Sequence, residues 1–315
     1  MTEVTDIYKT TAQADPTHTT ALRNAWARDM QRRFTELIRV IKTGVADRDC
    51  FGLQDKGMVL QQMLPPEYRV FAFLRDPQKV EAFMTWLQEQ VDKGLLTTVQ
   101  FQQIGSAVEA AWTNMYVYDS YKRGVLRARW EMQKAGMDIP PLDELGISSL
   151  LSTPFHMDRV GLLFTRVFTD LKNITSAMDT QISKVLAQGL IDGDGPRLIA
   201  RKLIATINGD GIDRLGITDT LGRFIPAARR AEMLARTEVI RAHHLGTIQE
   251  YRNWGLEGVK VLAEWSTAGD DRVCEKCAPM NGKIFTLDEI EPLIPFHPLC
   301  RCITIPYIEE IQKYL

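Results

Sequence analysis

The feature of the sequence that most constrains its fold is a group of thiols and one imidazole near the C-terminus. Cys274 and Cys277 are spaced Cys-x-x-Cys, and after nineteen residues the stretch His297-Pro-Leu-Cys300-Arg-Cys302 follows. A Cys-x-x-Cys turn supplies two soft ligands from one loop, and structural zinc takes four such ligands in a tetrahedron. The spacing therefore predicts a zinc site that uses four of these five side chains.

Cys300 and Cys302 compete for the fourth ligand position. Residues two apart on a strand face the same side, so either thiol can point toward the other ligands, and Cys300 is slightly favoured. The alternative is that these residues are core cysteines or a redox pair. Four protein ligands leave no open position for a substrate, so the predicted zinc is structural rather than catalytic.

Composition and charge exclude several classes of protein. The first twenty residues are polar and lack an apolar leader, so the chain is expected to meet a reducing compartment, where clustered thiols favour metal over disulfides. The 315-residue chain is 45% hydrophobic with net charge −2, which argues against disorder and against a globally basic nucleic-acid binder. No stretch approaches the roughly 18 apolar residues of a membrane span, so no membrane partner is predicted.

Apolar residues recur at helical spacing over most of the chain. The predicted helices cover residues 22–41, 77–93, 99–134, 155–185, 196–207 and 226–254. The pattern then changes to alternation, which predicts short strands at 258–265, 283–286 and 301–305. The predicted fold class is mainly α, with helical N-terminal and middle regions and a small C-terminal α+β module stapled by zinc.

Breaks in this pattern predict three regions. The Pro140-Pro141 pair favours a boundary after a helical N-terminal domain, residues 1–140. Residues 141–225 are predicted to be a helical linker with a helix–turn–helix segment, and residues 226–315 the module that carries the Cys/His cluster. The long apolar stripes of the first region suit packing on a partner's helices.

Local basic clusters are the candidate contacts to DNA phosphates. In the middle of the chain these are Arg197, Arg201, Lys202, Arg229 and Arg230. The alternative is a solvated helix face, which is the commoner meaning of such runs.

Two further groups fall on the predicted helix at 226–254. Arg236, Glu238 and Arg241 are predicted to form a polar helix face on which Glu238 pairs with Arg241 three residues on, rather than an acid–base site. His243 and His244 point about 100° apart on a helix, so they are predicted to be one solvated and one packed histidine and not a joint metal site.

Four stretches of the sequence resemble the phage head morphogenesis family, the minor head proteins that carry a Mu F-like C-terminal domain. They are the lead-in at 187–196, the helix Ala-Arg-Thr-Glu-Val-Ile-Arg-Ala at 235–242, the loop at 265–277 with Asn281-Gly-Lys after it, and the closing Phe-His-Pro-Leu-Cys-Arg-Cys at 296–302. Their order and spacing make the resemblance specific, and it says nothing about residues 1–150.

The resemblance implies a non-enzymatic virion protein of a tailed bacteriophage, made in the host cytoplasm and present in few copies in the head. Its implied partners are the portal and other head proteins, with roles in head assembly and in DNA packaging or ejection, and no small-molecule substrate is expected. Arg236, Glu238 and Arg241 would then lie on a helix that docks the zinc module. The alternatives are a DNA-binding zinc module and a metal-dependent nuclease or transferase.

Overall fold

The protein is mainly helical with a small C-terminal sheet, as the sequence predicts. A computed structural model describes residues 15–54, 71, 73–97, 107–208, 225–255 and 261–308. Within these ranges the α-helices are Thr20–Ile41 (α1), Asp76–Val91 (α2), Asn114–Lys134 (α3), Glu144–Leu151 (α4), Pro154–Ile191 (α5), Pro196–Asn208 (α6), Ala227–Gly255 (α7) and Leu287–Ile290 (α8). The strands are Val261–Ser266 (β1), Ile284–Phe285 (β2) and Ile303–Ile308 (β3). None of the described helices is long and apolar enough to cross a membrane.

The helix predicted over 99–134 is shorter than its apolar period suggests. It begins at Asn114, and residues 107–113 form turns, with Ala111 bridging to Thr97. The Trp112 indole N–H donates to the Leu95 carbonyl at 2.8 Å, so a tertiary contact fixes these residues outside the helix. Residues 99–106 of the prediction lie outside the described part of the chain.

The chain does not leave helical structure directly after the first two helices. After α1 and after α2 the chain continues in π-helical turns, Lys42–Asp47 and Asp92–Leu96, which contain Gly44 and Gly94. Helix α4 was not predicted. Its N-terminus is capped by the Asp143 carboxylate, which accepts from the Gly146 N–H at 2.7 Å.

The chain divides into two compact units built from separate segments. The first contains residues 1–26, 113–167 and 233–315, and the second contains residues 27–112 and 168–232. The predicted domains, 1–140, 141–225 and 226–315, follow chain order instead. They stay a prediction.

In the first unit, α3 and α7 cross at backbone contact. A Cβ on Gly124 would lie 2.0 Å from the His243 carbonyl oxygen, and one on Gly246 would lie 2.4 Å from the Tyr121 carbonyl oxygen. Two hydroxyls bond across the same crossing: Ser120 donates to Val239 O at 2.6 Å, and Thr247 donates to Gly124 O at 3.1 Å. Only glycine fits at these two positions, because any side chain would push the helices apart.

The sheet of the first unit is antiparallel, in the order β2-β1-β3. Val261, Ala263 and Trp265 of β1 face the core, where Ile240 and Tyr251 of α7 also lie. The predicted strand positions are therefore confirmed within a few residues, although 258–260 lie outside the described residues. This arrangement lays the C-terminal module on the α3–α7 pair.

The second unit has an aromatic core. Phe51, Phe71 and Phe83 contact one another, and Trp86 contacts Phe71 and Phe83, with ring centroids 5.2–5.9 Å apart. Arg33 of α1 donates to Gly94 O at 2.6 Å, and its guanidinium lies 4.2 Å from the centroid of the Trp112 ring. The cation–π contact and the hydrogen bond of Arg33 hold α1 against the turn that follows α2.

Asp179 of α5 is a carboxyl without a partner in the second unit. Neither of its carboxylate oxygens accepts a hydrogen bond from the part of the chain that the structure describes. Burial, and then the negative charge of Asp92, raise its pKa to about 7. A raised carboxyl pKa means that the folded state holds this proton more tightly than the unfolded chain does.

We therefore expect Asp179 to make the protein less stable as pH rises from about 4 to about 7, with no further loss above that range. Asp179→Asn should remove this penalty, which is at most about 4 kcal/mol and smaller in practice because the side chain is only partly buried. Urea denaturation at pH 5 and pH 8 measures it: the gain in stability of the variant over the wild type should be clearly larger at pH 8 than at pH 5. The exposed Asp158→Asn on the same helix is the control, and an equal gain from both variants would contradict the argument.

Candidate metal centre

The first half of the centre is the turn Cys274-Glu-Lys-Cys277. The backbone N–H groups of Cys277 and Ala278 both donate to the Cys274 carbonyl at 3.0 Å, which folds the two thiols onto one side of the loop. Asn281-Gly282 then turns the chain toward β2, with Gly282 at φ +80° and its N–H donating to Trp265 O at 2.8 Å. The Cys274–Cys277 turn, here called the first knuckle, is thus connected by a hydrogen bond to β1, the strand that precedes it.

His297 points its Nε2 atom at both thiols of that turn. The atom lies 3.1 Å from Cys274 Sγ and 3.2 Å from Cys277 Sγ. The other ring nitrogen, Nδ1, is 2.8 Å from the Pro298 carbonyl, which can only accept. Nδ1 therefore carries the proton, and the Nε2 lone pair faces the sulfurs, which is the tautomer that a metal-ligating histidine needs.

Cys300 and Cys302 complete the cluster from the other side. Their sulfurs and that of Cys277 lie within 4.8 Å of one another, and so do the ligand atoms of Cys274, Cys277 and His297. Cys277 belongs to both groups. All the cysteines are free thiols, so the cluster contains no disulfide. The five predicted ligands therefore come together in space, and these groups can hold a metal ion.

The three buried thiols perturb one another strongly. A hydrogen bond from Cys302 lowers the pKa of Cys300 to about 5 against the opposing effect of burial. The same bond, together with burial, raises the pKa of Cys302. Burial, and then the charge of Cys300, raise the pKa of Cys277 to about 12. Thiols this close to one another favour binding of a cation, because the cation displaces their protons and stabilises the thiolates.

The loops that carry the ligands are joined by one forked ion pair. Arg301 lies between Cys300 and Cys302 in the sequence. Its guanidinium donates to both carboxylate oxygens of Asp270 at 2.6 and 2.7 Å. This hydrogen bond, ahead of the contact with Arg272, lowers the pKa of Asp270. The pair joins the segment that carries Cys300 and Cys302 to the loop that precedes Cys274.

Helix α7 supports the centre through polar contacts. Thr237 Oγ1 accepts from the Leu299 N–H at 3.1 Å, in the middle of the His297–Cys300 turn. His244 Nε2 bonds to the Ile290 carbonyl at 3.2 Å, at the end of α8. Thr237 was not among the predicted contact residues. A hydroxyl inside a charged helix stretch gives no sequence signal that it faces a loop sixty residues away.

The predicted polar face of α7 is partly wrong. Glu238 pairs with Arg241 at 3.0 Å as predicted, but its side chain is buried, with residue exposure of 2%, and it also lies 3.5 Å from Arg166 Nε. Arg236 is half-buried. His243 and His244 are both buried, whereas one was expected to be solvated. Close packing against α3 and α8 covers side chains that helical period alone would leave outside.

The five residues predicted to contact DNA differ in their exposure and in their ion pairs. Arg197 and Arg201 are exposed on α6, and neither bonds to a carboxylate in the described part of the chain. Lys202 is paired with Asp194 at 2.6 Å, and Arg229 with Glu232 at 2.8 Å. Arg230 is buried, at 9% exposure, so direct contact with a phosphate does not fit its position.

Comparison with known proteins identifies the C-terminal region. Residues 180–305 match the family model of Phage Mu protein F like proteins, which is under half of the chain. The match contains the four motifs and is consistent with a Mu F-like C-terminal domain. No curated protein and no solved structure matches the chain significantly.

The contact between Thr237 and Leu299 can be tested with a substitution of the same shape. We expect Thr237→Val to leave the Leu299 N–H without an acceptor and to destabilise the knuckle by about 1 kcal/mol. Amide hydrogen exchange at residues 299–301 should accelerate about fivefold. Thr237→Ser keeps the hydroxyl and should exchange like the wild type, so equal rates in the Val and Ser variants would rule out this anchor.

Proposed function

We propose that this chain is a minor head protein of a tailed bacteriophage whose C-terminal module is held by structural zinc. The observation that carries the proposal is the convergence of the five Cys and His donors inside the stretch that matches the Mu F-like family. The family supports a role in head morphogenesis and a place in the virion. Association with the portal, and action in DNA packaging or ejection, are the finer parts of the proposal.

Zinc is the metal that the donors favour. Thiolates and a neutral imidazole are soft to borderline ligands, which suit zinc better than magnesium, calcium or manganese. When bound, zinc would link the Cys274–Cys277 turn to the segment 297–302. Cys274, Cys277 and His297 would hold it together with Cys300 or Cys302.

A binding or assembly role fits this centre better than catalysis. A nuclease that works through divalent metal needs carboxylates around an open coordination position. In the described residues, the candidate metal groups consist of Cys and His alone. Four protein ligands would close the coordination sphere, and a closed zinc site stabilises a fold.

A second role, contact with DNA, has one supporting observation. Arg197 and Arg201 lie one turn apart on α6, exposed and without ion pairs in the described part of the chain. Two such guanidiniums suit the phosphate backbone, which needs charge but no sequence reading. This role is compatible with a head protein, which lies beside packaged DNA.

Metal removal tests the zinc part of the proposal. Purified full-length protein should contain one zinc per chain by elemental analysis, and chelation should loosen the module and change the fluorescence of Trp265, which is buried against Phe296. Cys277→Ser should lose the metal, whereas Cys50→Ala, which removes the cysteine outside the cluster, should keep it. Protein prepared under reducing conditions that contains no zinc would refute the site.

Purified particles test the head-protein part. The chain should be detected by mass spectrometry in DNA-filled heads at a few copies each, and it should co-migrate with the portal of the same phage on a gradient. Particles made without it should show defects in assembly or in DNA delivery. Its absence from purified heads, together with a failure to bind the portal, would refute this role.

A further inference from the structure

The fourth ligand position of the centre has two candidates of nearly equal standing. Cys274, Cys277 and His297 supply three donors, and both remaining thiols lie within 4.8 Å of Cys277. Both are buried, at 1% exposure for Cys300 and 3% for Cys302. The residue between them, Arg301, bonds to Asp270, while the two thiols, two residues apart, both approach Cys277.

The turn geometry favours Cys300. Its N–H donates to the His297 carbonyl at 3.1 Å, in the same pattern as the 3.0 Å bond that closes the Cys274–Cys277 turn. Pro298 and Leu299 occupy the centre of this turn, and Leu299 has φ +65°, a left-handed conformation that is unfavourable for a residue with a Cβ. A strained turn that pairs His297 with Cys300 is a knuckle like the first one.

The shape of the cleft favours Cys302 instead. The small cleft between the two knuckles is lined by Cys274, Cys277, His297 and Cys302, but not by Cys300. Cys302 immediately precedes β3, whose first residue pairs with Ser266 of β1, so the sheet holds its backbone in place. The thiol that faces the cleft is thus the one outside the turn.

We propose that Cys300 and Cys302 are alternative ligands, so that the metal is held by Cys274, Cys277, His297 and either thiol in exchange. The inference rests on the proposed zinc site. When one thiolate ligates, the other remains beside it as a thiol that hydrogen-bonds to the cluster. Ligand exchange of this kind breaks one metal–sulfur bond and forms another, with a proton passing to the departing sulfur, and no oxidant is involved.

The consequence is a site that tolerates the loss of either thiol but not of both. If the two bound forms are equally populated, removal of one of them raises the apparent Kd for zinc about twofold. Loss of a ligand with no substitute is far more damaging, because three protein donors leave the tetrahedron incomplete. Cys277, which belongs to both donor groups, is the natural reference for such a loss.

The test uses full-length protein with Cys300→Ser, Cys302→Ser, the double variant and Cys277→Ser, each also made as alanine. Zinc per chain is measured after gel filtration, and the Kd by competition with a chelating dye. Cobalt(II) is then substituted, and its sulfur-to-metal charge-transfer band counts the bound thiolates. We expect both single variants to keep one zinc and three thiolates, with Kd within about tenfold of the wild type, and the double variant and Cys277→Ser to lose the metal.

Two outcomes separate failure of this inference from failure of the proposed function. If the wild type binds zinc but one single variant loses it in both the serine and the alanine form, that residue is the sole fourth ligand and the exchange proposal is wrong. If the double variant keeps zinc as tightly as the wild type, neither thiol ligates and the proposal is wrong. If the wild type itself binds no zinc, the proposed zinc module fails and the inference falls with it.

Discussion

The structure of the C-terminal module depends on the close crossing of α3 and α7. Gly124 and Gly246 let the two backbones touch, and the hydroxyls of Ser120 and Thr247 bond across the contact. Interiors packed at this density do not allow a helix to rotate or slide without clashes. The face of α7 that carries Thr237 and His244 is therefore held in one orientation toward the knuckles and α8. Much of the local geometry of the centre therefore depends on the presence of glycine at positions 124 and 246.

The module built on this support has little regular structure of its own. Its sheet has three strands, and one of them, β2, has two residues. Single polar links join its loops: the Asp270–Arg301 fork, the Thr237–Leu299 bond and the His244–Ile290 bond. Each link of this type contributes on the order of 1 kcal/mol. Convergent ligands on one ion would be a stronger constraint, because they would act on both cysteine-bearing turns at once.

The sequence predicted what depends on local pattern and missed what depends on tertiary contact. Helical period located α1, α2, α5, α6 and α7, and the Cys-x-x-Cys and His-x-x-Cys spacings selected the donors that the structure brings together. It did not predict that residues 107–113 leave the helix, because the bond from Trp112 to Leu95 depends on a partner seventeen residues away. The burial of Glu238, His243 and Arg230 was missed for the same reason: charge argues for exposure, and only packing can overrule it. The two discontinuous units could not be found from boundaries along the chain, because chain order carries no information on which separated segments meet.

The helix stretch Arg236-Thr237-Glu238 shows why a family signature need not mark an active site. Thr237 anchors the second knuckle, while the buried carboxylate of Glu238 meets Arg241 on its own helix and Arg166 on α5. A buried carboxylate is costly to desolvate, and replacing such a pair by apolar side chains is often neutral or stabilising. Loss of either cation would leave this carboxylate buried beside fewer positive charges, which is unfavourable. Adjacent residues of one helix thus position a loop and a neighbouring helix. Both contacts are structural, because each positions a neighbouring element of the fold.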